Sequence, residues 1–125
     1  MSEIHVPVSF GELLDKISIL YVKRDKMRDP CRLSYVLAEI KEIEQHLENT
    51  PEETAWLQQL VAINMDMWEC NELRKDKINR GEYDDEYIQL TIRESRVNDK
   101  RFIVKKHINE ASQSELREQK SYPWT

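Results

Sequence analysis

Four helix-start signals divide this chain, and no other feature restricts its fold as much. At Ser9-Phe10-Gly11-Glu12 a hydroxyl stands three residues ahead of a carboxylate. In that capping-box spacing Ser9 accepts from the backbone N–H of Glu12, while Glu12 reaches back to the N–H of Ser9. Val8 and Leu13 hold the flanking positions of a hydrophobic staple. Asp29-Pro30 sets a capping side chain before a proline at the first helical position, where a missing N–H costs nothing. Thr50-Pro51-Glu52-Glu53 combines the two devices. Gly81 is a natural left-handed stop, and Asp84 or Asp85 caps the helix after it. No proline falls between these marks, so the pattern predicts helices from Ser9 to about Arg28, onward from Asp29, from Thr50 to about Arg80, and from Asp84 or Asp85 to about Ala111.

The connections near Asp29, Thr50 and Gly81 are short, and short loops join antiparallel neighbours. The expected fold is therefore all-α: an antiparallel four-helix arrangement with two shorter and two longer helices in one domain over residues 1–125. Residues 1–8, where Ile4, Val6 and Val8 alternate with polar residues or proline, read as an extended arm. From Ser112 onward the chain turns polar and reads as a tail that is either loosely ordered or docked, ending in Tyr122, Pro123 and Trp124, whose aromatic rings could seat on the core or on a neighbour. Two glycines and 34% charged residues fit long helices better than a sheet with many turns.

Composition also bounds function. No stretch approaches the ~20 apolar residues of a membrane span, and the first residues lack a signal-peptide pattern, so a soluble cytoplasmic protein is expected. A net charge of −5 argues against a nonspecific binder of nucleic acid. Cys31 and Cys70 have neither metal-like nor CxxC spacing and read as reduced structural thiols. Glycine-rich phosphate loops, HExxH and nucleophile elbows are all missing, and no cofactor is implied. The acidic run Glu82 to Tyr87 lacks calcium-loop spacing and reads as helix capping.

The helical faces carry the remaining signal. Phe10, Leu13, Leu14, Ile17, Leu20 and Tyr21 make the first apolar face, with Arg24 one turn beyond Leu20. Leu33, Val36, Leu37, Ile40, Ile43 and Leu47 make a single stripe on the second helix. On the third, Asn64, Asn71 and Arg74 project within a broad arc that includes Trp56, Leu60 and Cys70. The fourth has two apolar flanks, Leu90, Val97, Val104 and Ile108 against Ile88, Ile92, Phe102 and Ile103. A polar line of Glu94, Asn98, Arg101, Lys105 and Asn109 runs between them.

Particular residues also carry a resemblance: PVSFGELLDKISIL followed by Lys23, then NMDMW with Arg74, then VND with Arg101, and a closing KSY. From Pro7 to Tyr122 the chain resembles an uncharacterised bacterial family of short proteins of unknown function. The resemblance implies a compact single domain and brings no catalytic or binding residue with it.

Arg24, Asn64, Asn71, Arg74, Asn98, Arg101 and Lys105 are the candidate ligand-binding residues. A buried cation needs a carboxylate, and Glu12 and Glu94 are the nearest candidates by face. In that set cations outnumber carboxylates, which suits an anionic small molecule carrying carboxylate or phosphate. Three functional classes are open: a noncatalytic helical module holding an anionic ligand or a partner, a small helical enzyme acting by electrostatic stabilisation, or a purely structural interaction protein. For a lone asparagine such as Asn64 the plainer alternative is a satisfied core polar group. Unequal helix lengths also lead to an expected homodimer, because the short pair cannot cover the long pair.

Overall fold

The computed structural model describes residues 3–121. Four helices run in order: α1 (Phe10–Lys26), α2 (Pro30–Glu44), α3 (Pro51–Asn79) and α4 (Asp85–Ala111). Among the described residues there is no strand. Each start falls where a capping side chain was expected. Ser9, Asp29, Thr50 and Asp84 accept from the N–H groups of Glu12, Cys31, Glu53 and Tyr87. Gly81 takes φ +68 just after α3, the left-handed angle that ends a helix without steric cost. α1 stops at Lys26, short of the expected Arg28, because Met27 is already extended at φ −75, ψ 141 ahead of the Asp29-Pro30 start.

α1 lies against each of the other three helices, and the α2 backbone approaches only α1. The α3–α4 hairpin is antiparallel: Asp66 pairs with Arg93, the Cys70 thiol reaches the Leu90 carbonyl at 3.1 Å, and Lys77 reaches Asp84 at 2.8 Å. α1 runs parallel to α3, since Phe10 meets the Trp56 ring and Asp15 meets Asn64. The result is an up-down-up-down bundle. Its main apolar cluster is Leu14, Ile17 and Leu20 from α1, Val36, Ile40 and Ile43 from α2, Leu60 from α3 and Ile108 from α4.

α3 and α4, of 29 and 27 residues, are about 40 Å long, whereas α1 and α2, of 17 and 15, span about 25 Å. The hairpin therefore outreaches its cover. Its far end is closed by Lys77, 8% exposed at its side chain, with Glu82, Asp84 and Glu86 within 3.4 Å of its ammonium. Hydrogen bonds that it donates to Asp84 and Glu86 hold that ammonium well above the usual lysine range. Apolar side chains on this half are left uncovered, among them Leu73, Ile88 and Ile92. The two flanks read on α4 thus fare differently: Leu90, Val97 and Ile108 of the first are buried, while the second is split, with Phe102 buried and Ile88 and Ile92 facing outward. On α2 the stripe is narrower than its spacing suggests, with Leu37 45% exposed.

Candidate functional site

The start of α1 is fixed from α4 as well as from its own sequence. The first N–H groups of a helix have no partner within it. Here Phe10 N–H donates to the Ser114 hydroxyl at 3.1 Å, Gly11 N–H to Asn109 Oδ1 at 2.7 Å, and Glu12 N–H to Ser9 Oγ at 3.1 Å. Gly11 is required by this arrangement. A Cβ there would lie 2.7 Å from the Lys105 carbonyl oxygen and 2.8 Å from Asn109 Oδ1. The capping box is only half formed, because the Glu12 carboxylate does not turn back to Ser9 but reaches Lys105 Nζ at 2.8 Å. At α3 the carboxylate does turn back, one and two residues further than expected: Glu53 accepts from the N–H groups of Asn49 and Glu48 at 2.9 and 3.1 Å.

From this anchor a polar seam runs between α1, α3 and α4. Lys105, with a side chain 6% exposed, sits among Glu12 at 2.8 Å, Glu118 at 2.9 Å and Asp15 at 3.7 Å. Burial alone would lower its pKa, but hydrogen bonds to Glu12 and Glu118 outweigh that and the net shift is upward. Asp15 Oδ1 accepts from the Asn64 amide at 3.0 Å, and its other oxygen faces Arg101 Nε at 3.9 Å. Asn64 also donates to Ser18 Oγ at 2.7 Å and accepts from Arg101 Nη1 at 3.3 Å. Asn64 is thus a satisfied buried amide joining three helices.

Arg101 leads out of the seam into a groove of about 480 Å³ between α3 and α4, where it joins Arg74, Asn71, Glu94, Ser95 and Asn98, with Met67 and Thr91 beside them. Arg74 pairs with Glu94 and lies 5.6 Å from the Tyr87 ring centroid. The Arg74 Nε is buried and has no hydrogen-bond partner among the described residues. Among the described residues the side chains of Asn71, Ser95 and Asn98 make no hydrogen bond either. Every one of these groups is a donor, an acceptor or both, so the groove offers unused polar capacity.

Of the residues singled out from the sequence, Asn71, Arg74, Asn98 and Arg101 meet in the groove, Asn64 contacts Arg101 from the seam, and Lys105 lies one turn further along α4 in the seam itself. Arg24 belongs to neither: it is exposed, with its guanidinium 4.6 Å from the Tyr21 ring centroid. Two carboxylates of the seam were not among those expected. Asp15 is 4% exposed, and the available signal was that it shares one side of α1 with the small residues Gly11 and Ser18 and with Val22, all buried. Glu118 comes from the segment after α4 and left no periodic signal at all.

These two change the charge balance. Across seam and groove, Arg74, Arg101 and Lys105 face Glu12, Asp15, Glu94 and Glu118, so the expected excess of cations is absent from the whole. It persists locally, because the groove lining holds two guanidiniums and one carboxylate.

Among the described residues no group of three or more His, Cys, Asp or Glu side chains could hold a metal ion, and no helix is long and apolar enough to cross a membrane. Cys31 is exposed and Cys70 buried, both as free thiols. The expectation for Tyr122, Pro123 and Trp124 concerns residues outside those described. No curated protein and no solved structure matches the chain. A family model does match residues 4–125, and with that match over nearly its whole length the chain belongs to DUF6165, a family of unknown function.

Proposed function

We propose that the protein is a noncatalytic helical binding module whose α3–α4 groove holds a small anionic molecule. The supporting observation is the lining itself: Arg74 and Arg101 against the single carboxylate of Glu94, with the side chains of Asn71, Ser95 and Asn98 making no hydrogen bond among the described residues. Guanidinium forks bind carboxylate and phosphate oxygens through paired charge-assisted hydrogen bonds, and the amides and hydroxyl supply orientation. The seam behind Arg101 keeps that arginine in place while engaging it only loosely, at 3.3 and 3.9 Å.

Thermal-shift screening of small carboxylates and phosphates tests this reading, because a ligand that binds only the folded state raises the melting temperature by mass action. Arg74→Ala and Arg101→Ala should each abolish the shift. No shift with any anion, or shifts that survive both substitutions, would reject the groove as a site. Turnover of a compound from the same panel would replace the binding module with a small enzyme.

A second reading, self-association, is favoured by the uncovered end of the hairpin, where Leu73, Tyr83, Ile88 and Ile92 are between 38% and 64% exposed. A second copy placed about a twofold axis would cover such surfaces from both chains at once. Light scattering at micromolar concentration should then give twice the monomer mass, and a monomer mass would reject it.

A further inference from the structure

Resting on the groove as an anion site, we propose further that its ligand is an α-amino dicarboxylate, a molecule with two carboxylates and one ammonium. Charge pairing selects such a ligand. The lining presents two guanidiniums, Arg74 and Arg101, and one carboxylate, Glu94. An ion pair already joins Arg74 to Glu94. A plain dianion drawn to Arg74 would meet the Glu94 carboxylate beside it, and a partly buried like-charge contact is costly. An ammonium next to the incoming carboxylate removes that conflict: it takes over Glu94, and the terminal nitrogen of Arg74 that Glu94 now holds is released to the ligand carboxylate. Every charge then keeps a partner. The net charges also match, the groove at one positive and such a ligand at one negative.

Spacing supports a ligand with two separated acidic ends. Glu94 and Arg101 lie seven residues apart on α4, a rise of about 10 Å. Arg74 is held at the Glu94 level, and Arg101 at the level of Asn64. Asn98 falls between the two ends on α4, and Asn71 one turn from Arg74 on α3, both lining the groove with amides free to bind a polar mid-section. A single compact anion such as inorganic phosphate can engage one end only.

Isothermal titration with three probes tests this: L-glutamate, glutarate, which lacks the ammonium, and 4-aminobutyrate, which lacks one carboxylate. Glutamate should bind at least about tenfold more tightly than either, the size expected from losing one charge-assisted contact. Glu94→Gln should remove the preference over glutarate, and its fold is checked by thermal melting. Should that variant fail to fold, the ranking of the three probes on the unaltered protein still decides. Glutarate binding as well as glutamate would overturn the amino-dicarboxylate while leaving the anion groove standing. Absence of binding by all three would overturn the proposal, and the groove itself falls only if inorganic phosphate and the wider carboxylate panel also give nothing.

Discussion

Replacing Gly11 by alanine should destabilise this protein even though alanine is the better helix former. In an unobstructed helix the change would gain up to about 1 kcal/mol. Here the added methyl would meet the Lys105 carbonyl oxygen at 2.7 Å and Asn109 Oδ1 at 2.8 Å, and ordinary contact begins at 3.4 Å. The Asn109 side chain can swing away, at the loss of its 2.7 Å hydrogen bond to the Gly11 N–H, worth about 1 kcal/mol. The carbonyl cannot, because it belongs to the backbone of α4, so the two helices must separate. Forcing a methyl into a packed contact costs about 1–3 kcal/mol. The net expectation is a loss of about 1–3 kcal/mol, or about 4–12 °C in melting temperature for a chain of this size. Thermal denaturation followed by circular dichroism measures it. Adding Asn109→Ala should not restore stability, since the backbone contact remains. Gly81→Ala is the contrasting control: nothing lies within 4 Å of its Cβ, and it should lose only about 1 kcal/mol, from φ +68. A Gly11→Ala protein as stable as the parent would refute the close approach of α4 and with it the account of how α1 is anchored.

Three further outcomes are expected from the same geometry. Asp15→Ala removes the acceptor of the buried Asn64 amide and the most buried of the three carboxylates around Lys105, which keeps Glu12 and Glu118, and should lower stability by about 1–3 kcal/mol in denaturant unfolding, while Arg24→Ala, at an exposed site, should stay within about 0.5 kcal/mol. Because the folded Lys105 ammonium titrates above its unfolded value of about 10.4, its contribution is complete below that pH and fades as pH rises through the folded value; Lys105→Gln should flatten this part of the alkaline stability profile, and an unchanged slope would show that the ion cluster contributes nothing. Alkylation of the native protein should modify Cys31 alone, since Cys70 is fully buried with its thiol pushed up by burial; both should react after unfolding, and rapid native labelling of Cys70 would contradict the packing of α3 on α4.

The division into helices is what the sequence determined by itself. Ser9, Asp29-Pro30, Thr50-Pro51, Gly81 and Asp84 act through neighbours no more than four residues away, so their effect is readable without the rest of the chain. That Glu12 and Glu94 are the carboxylates nearest the interior cations was also legible from their faces, though which cation each one meets, Lys105 and Arg74, was not. Which polar residues are interior was decided only by the tertiary structure. A helical wheel places Arg24 within the apolar face of Phe10, Leu14, Ile17 and Leu20 and Asp15 on the opposite side of the helix, yet α3 and α4 close over Asp15 while Arg24 stays exposed. The fate of Glu12 was settled in the same way: the local capping box competes with a lysine 93 positions later in the chain, and the buried ammonium of Lys105 needs the carboxylate more than the Ser9 N–H does. Glu118, arriving from a segment with no periodicity, could enter the charge balance only once the chain was folded. Local capping fixes where helices begin, but burial and ion pairing depend on the surfaces those helices exclude from water together, and that information is spread over the whole chain.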